Sequence, residues 1–208
     1  PAKIRQSWCS VSRGDRYHAL SRALLQWGGR LNIVFCNTKN DCAQVAQSLQ
    51  QDRVAAIAMH GDLEQPDRVR ALVRFANQSA TVLVATDVAA RGLDVHDVDA
   101  VFNYELSEQP EVYVHRIGRT ARAGASGVAL SFCAHDEVPL LLGIEKLTRT
   151  LMIRHDDHQF HCEAVATLQT AKPQAKSRGR RGPRVSGRLG AAGSPGPLAG
   201  RGGTSRGA

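Results

Sequence analysis

The chain reads as an α/β domain with a mainly parallel sheet and an appended tail, and three observations carry that reading. Short apolar runs alternate with amphipathic helical stretches through residues 1–165, the pattern of strand–helix–strand units. Several runs are apolar on both faces, as in Leu31–Cys36, broken only by Asn32, which suits strands covered by helices on both sides. Residues 171–208 hold ten Gly and four Pro with almost no large apolar side chain, too little apolar surface to offset the entropy of folding. The expected organisation is therefore a folded domain over 1–165 and a disordered basic Gly/Arg/Pro-rich tail over 166–208.

Taken in order, Ile4–Val11 has strand character, and Asp15–Trp27 is an amphipathic helix stopped by Gly28-Gly29. Leu31–Cys36 is the next strand, after which Asn37 or Thr38 caps a helix to about Leu49. Val54–Met59 precedes a helix over Glu64–Asn77 with Pro66 in its first turn, where proline is tolerated. Val82–Ala85, Ala100–Tyr104 and Gly127–Cys133 are further strands, with helices around Glu111–Gly118 and Asp136–Thr150. In such sheets the binding crevice lies at the carboxyl ends of the strands.

The net charge of +8 is unevenly placed. Residues 171–208 carry nine Lys and Arg and no acidic residue, so the first 170 residues sum to −1. The tail reads either as an RG-rich arm that binds RNA or as the aberrant end of a truncated gene. The five cysteines, Cys9, Cys36, Cys42, Cys133 and Cys162, show no CxxC pairing and read as small buried hydrophobes in a reducing cytoplasm. No run suits a membrane span, and neither a membrane span nor a secretory signal is expected from these residues. The first residue is Pro1, and a piece of a longer protein is expected.

Two segments carry the chemistry. Val84–Val95 is a strand end running into a small-residue loop with Thr86, Asp87, Arg91 and Asp94; Tyr113–Gly124 carries Arg116, Arg119 and Arg122 at spacing three. On a helix that spacing places three guanidiniums along one side. Aligned cations call for a polyanion, and the planar fork of arginine grips phosphate oxygens in pairs.

These segments resemble motifs V and VI of the DEAD-box RNA helicases. Ile33-Val-Phe-Cys-Asn-Thr-Lys39 resembles motif IV, and His60-Gly-Asp-Leu-Glu-Gln-Pro-Asp-Arg68 the following HGD…QxxR motif. Asn37–Cys42, Leu72–Asn77, Thr120–Gly124 and Ser131–Ala134 are most similar to the DbpA subgroup, and Ala121 stands where most members carry Gly. The resemblance implies the C-terminal RecA-like domain of a superfamily 2 RNA helicase, a three-layer sandwich.

By that resemblance Arg119 and Arg122 are arginine fingers on the γ-phosphate of ATP, Asp94 meets the ribose, and Arg91 ties to the first domain. His115 couples the nucleotide side to the RNA side, and Asp87 orients the motif VI arginines. Thr38, Gly61, Arg68 and Thr86 contact the RNA backbone. Taken alone, Thr38 suits a helix cap equally well and Arg68 an exposed helix charge; the joint pattern favours RNA. Neither a Walker A loop nor an Asp-Glu-Ala-Asp run is present. The resemblance places both, with the Mg²⁺ of ATP, in an N-terminal RecA-like domain, so this piece alone is expected to be inactive. The expected partners are that domain and ribosomal RNA in large-subunit assembly, with no membrane.

Two rivals stand beside this reading. One is the equivalent domain of a DNA-directed superfamily 2 helicase, which Phe35-Cys-Asn-Thr38 and Gln65-x-x-Arg68 oppose; the other is a stand-alone RNA-binding or regulatory module. His155, His158 and His161 recur at spacing three, but the segment is polar and lacks a closing cysteine pair, so no metal site is expected.

Overall fold

The computed structural model describes residues 3–91, 95, 98–121 and 126–170. Among these residues seven strands form one sheet: β1 (Lys3–Ser10), β2 (Asn32–Cys36), β3 (Ala56–Met59), β4 (Val82–Thr86), β5 (Ala100–Asn103), β6 (Ser126–Cys133) and β7 (Ile153–His155). Their order is β3-β4-β2-β5-β6-β1-β7, and every pairing is parallel. The helices are α1 (Arg16–Trp27), α2 (Lys39–Gln51), α3 (Gln65–Ala76), α4 (Asp87–Ala90), α5 (Pro110–Ile117), α6 (Val138–Thr148) and α7 (Glu163–Thr170), with a 3-10 turn at His135–Glu137.

The period of two in each strand divides the core into two layers. Val34, Val84, Phe102, Leu130 and Phe132 face one side, where Leu20 of α1 and Val45 and Leu49 of α2 cover them. Ile33, Phe35, Leu83, Ala85 and Val101 face the other and meet Ala71 and Phe75 of α3 and Ala89 of α4. Further along that side, Trp8 and Ala129 pack with Tyr113 and Ile117 of α5, Leu141 and Ile144 of α6 and Val165 of α7. The result is the RecA-like three-layer sandwich. β2, β4 and β5 are buried along their whole length, as their mostly apolar runs require.

Three elements lie outside the expected set: the four-residue α4, the three-residue β7 beside β1, and α7. The last runs across the expected boundary between 165 and 166, with Val165 and Ala166 buried. All five cysteines are free; Cys9, Cys36, Cys42 and Cys133 are buried and Cys162 is half-buried. Among the described residues no helix is long and apolar enough to cross a membrane. No group of His, Cys, Asp and Glu that could hold a metal occurs among them. His161 instead pairs with Ser10 and Glu163 at 2.8 and 3.1 Å, and the His155 ring lies 4.8 Å from that of Trp27.

Candidate functional site

The chain runs from β2 to β3 on one side, returns to β4 beside β2, and then crosses to β5 on the other side of β2. Such a reversal leaves a crevice beyond the carboxyl ends of the strands. β4 ends at Thr86, and Asp87 opens α4 directly after it. A cleft of about 320 Å³ begins there, lined by Phe35, Asp87, Arg91, His115, Arg116 and Arg119 among others.

Arg116 organises the cleft from below. Its side chain is 2% exposed, and burying a cation demands full pairing. Nε donates to Asp87 Oδ1 at 2.7 Å and Nη2 to Asp87 Oδ2 at 2.6 Å, a bidentate pair. Nη2 also donates to Asn37 Oδ1 at 2.8 Å, and Nη1 to the Glu105 carbonyl at 2.7 Å. The guanidinium lies 5.2 Å from the centre of the Phe35 ring.

The expectation of three arginines along one helix side is corrected here. α5 ends at Ile117 with Gly118 as its cap, and the Arg119 and Thr120 amides bond back to the Arg116 and Ile117 carbonyls in a tight turn. Arg116 therefore points into the domain, while Arg119 lies beyond the helix and lines the cleft. Thr120 pairs with Val98, just before β5, so the arginine segment leads away from the carboxyl rim towards the start of that strand. Arg122 and Asp94 lie outside the described residues.

The residues expected on RNA stand at the rim of neighbouring strands. Thr38 follows β2 and caps α2, its Oγ1 accepting from the Asp41 amide at 3.1 Å. Gly61 follows β3; a side-chain Cβ there would meet nothing within 4 Å, so nothing in this chain demands the glycine. Lys39 Nζ donates to Asp62 at 2.6 Å, joining the Thr38 and Gly61 segments, and this bond holds Asp62 below the ordinary carboxylate range. Thr86 is buried at the end of β4. Arg68 on α3 donates to the Ala89 carbonyl of α4 at 3.4 Å, a long contact that touches the helix opened by Asp87.

Glu105, Arg16 and Glu137 are missing from the sequence reading, and Asn37 enters it only as a possible cap within motif IV, yet the four bind these parts together. Glu105 accepts from the Asn37 amide at 2.8 Å, and Arg16 pairs with both Glu105 and Glu137. Burial pushes the Glu137 carboxyl above its ordinary value, and Arg16 opposes that. The available signal was a run of polar residues straight after apolar strands, without any indication of who meets whom. Among the described cleft residues Asp87 is the only carboxylate, and Arg116 takes both its oxygens. The lining suits a polyanion such as a triphosphate and presents no ligand set for a divalent cation.

A cleft edged by Arg91, His115 and Arg119 thus lies at the switch point of a RecA-like sheet, where phosphate-bearing ligands bind in folds of this class. Residues 15–124 match the helicase conserved C-terminal domain, and the chain belongs to that family, in its DEAD-box branch. The ATP-dependent RNA helicase DbpA of Escherichia coli is 54% identical over 134 residues, which are 64% of this chain and 29% of that protein. The DEAD-box ATP-dependent RNA helicase CshA of Bacillus subtilis is 42% identical over 153 residues, 74% and 31%. The chain thus spans under a third of the length of these relatives. The E. coli DEAD-box protein SrmB, solved bound to regulator of ribonuclease activity A, matches with TM-score 0.71 and 31% identity over 74% of this chain and 92% of that one. The C-terminal domain of the DEAD-box protein Dbp5 matches with TM-score 0.68 and 29% identity, over 81% and 97%.

Proposed function

We propose that this chain is the ATP-responsive half of an RNA helicase of the DbpA kind, acting on ribosomal RNA during large-subunit assembly in the cytoplasm. The observation that carries the reading is the buried Arg116–Asp87 pair beneath a cleft edged by Arg91, His115 and Arg119. Such a cleft contributes positioning and charge stabilisation to phosphoryl transfer, which needs little covalent help from the protein. Arg119 and Arg122 stabilise charge on the γ-phosphate, Asp94 holds the ribose, and Arg91 meets the first domain. That domain supplies the lysine loop and the carboxylates that hold Mg²⁺ with ATP. His115 links the nucleotide to the RNA side.

Thr38, Gly61, Arg68 and Thr86 hold RNA phosphates without reading bases. The open space at Gly61 supports this, since it leaves room for a phosphate to approach the backbone there. Residues 171–208 hold nine basic and no acidic side chains, a composition with sequence-blind affinity for the RNA backbone. The free thiols support a reducing compartment.

The test is ATP hydrolysis by this chain alone and joined behind a first RecA-like domain. The chain alone should be silent, and the joined enzyme should respond to RNA and far less to DNA. Equal stimulation by DNA, or none by RNA, would refute the reading.

A further inference from the structure

Asn37 stands between the two halves of the site, and its side-chain oxygen, side-chain nitrogen and backbone amide all bond there. Its Oδ1 accepts from Arg116 Nη2 at 2.8 Å, its Nδ2 donates to the Leu106 carbonyl at 2.8 Å, and its backbone amide donates to Glu105 at 2.8 Å. The partners lie 79, 69 and 68 residues away in sequence, so these bonds are tertiary and not part of a local turn. On one side Asn37 holds the guanidinium that Asp87 grips beneath the cleft. On the other it is covalently joined to Thr38, whose hydroxyl caps α2. An amide offers an acceptor and a donor at once. A carboxylate keeps only the first, and alanine keeps neither.

We propose that Asn37 is a positioning residue which transmits the state of the nucleotide cleft to the RNA-facing start of α2, so that ATP and RNA bind cooperatively. The proposal rests on the functional reading given above. Any displacement of Arg116 when phosphate enters the cleft must strain or move the Asn37 amide, because Arg116 shares one nitrogen, Nη2, between Asp87 and Asn37. Moving Asn37 reorients Thr38. The coupling is a free energy between two ligands and is reciprocal.

The test measures RNA affinity of the two-domain enzyme by fluorescence anisotropy, with and without a non-hydrolysable ATP analogue. The ratio of the two affinities is the coupling factor. Asn37→Ala should lower that factor by about tenfold, within the ordinary range of such couplings, while nucleotide-free RNA affinity stays within about twofold. Asn37→Asp keeps an oxygen for Arg116 and should retain most of the coupling. Thr38→Ala should instead weaken RNA binding alike in both states. An unchanged factor in Asn37→Ala, an equal loss of RNA affinity in both states, or an Asn37→Asp as uncoupled as alanine would each overturn the proposal. A wild-type enzyme with no coupling at all would instead count against the functional reading.

Discussion

Asp87 and Arg116 are 29 residues apart in the chain and meet through two parallel hydrogen bonds of 2.7 and 2.6 Å, both partners lying on the floor of the cleft. The arginine side chain is 2% exposed and the aspartate 24%. The two ends of the pair are therefore unequal: water can reach the carboxylate but not the guanidinium.

That inequality sets the outcome of mutating either side. Asp87→Ala strands a buried cation and should cost about 3 kcal/mol, the lower end for a broken buried pair, or roughly 8 °C in melting temperature. Arg116→Met leaves a carboxylate that can hydrate and fills much of the vacated volume, so about half that loss is expected. Thermal unfolding of the two variants checks the order. A larger loss in Arg116→Met would refute the argument.

On the proposed reading, Arg122 concerns turnover and not folding. In the two-domain enzyme Arg122→Ala should slow ATP hydrolysis by about 10³-fold, the scale of an arginine finger. Arg122→Lys should recover little, because an ammonium cannot reproduce the planar fork. Steady-state ATPase with saturating RNA measures both; hydrolysis within a few-fold of wild type in the alanine variant would remove Arg122 from the chemistry.

Ala121 has a left-handed backbone with φ 56° and is 4% exposed. A left-handed residue with a Cβ costs about 1–2 kcal/mol, which Ala121→Gly would relieve. The same change frees the unfolded chain by about 0.4–1 kcal/mol and removes a buried methyl group worth about 0.8 kcal/mol. These effects nearly cancel, so Ala121→Gly should change stability by less than about 0.5 kcal/mol. Ala121→Val has no such offset, since a β-branched residue is a true outlier at positive φ, and it should destabilise by about 2 kcal/mol. Urea denaturation of both variants decides.

Burial also governs the thiols. It pushes Cys9 and Cys133 up to about 12 and Cys42 to about 11, and Cys36 well above its ordinary value. At pH 8 a thiol of pKa 12 is ionised in only about 1 part in 10⁴, and the thiolate is the nucleophile. A thiol-reactive dye should therefore label only Cys162 rapidly in the native protein, and all five after denaturation. Mass spectrometry of the labelled peptides would count them; fast native labelling of any of the other four would contradict the packing.

Most strands and long helices were legible because their apolar periods are clean, with ends within a residue or two of the structure. β7 was not: Ile153–His155 sits in a polar stretch and is a strand only because β1 offers it backbone partners. α4 is too short for any period to show. In the site, spacing placed Arg116, Arg119 and Arg122 on one list but could not say that Arg116 turns inward. That choice depends on Asp87 and Asn37, which the sheet order brings beneath α5. Glu105 escaped notice and Asn37 was read only as a possible cap for the same reason, since their partners are set by topology and carry no local signature.

Both margins of the sheet are short, four residues in β3 and three in β7. Short edges offer little backbone for another strand to join. On the reading proposed above, a second motor domain would find little backbone along these margins and would engage through side chains on the rim and the cleft. A union made that way could be undone at each turnover, whereas a shared sheet would lock the two halves together.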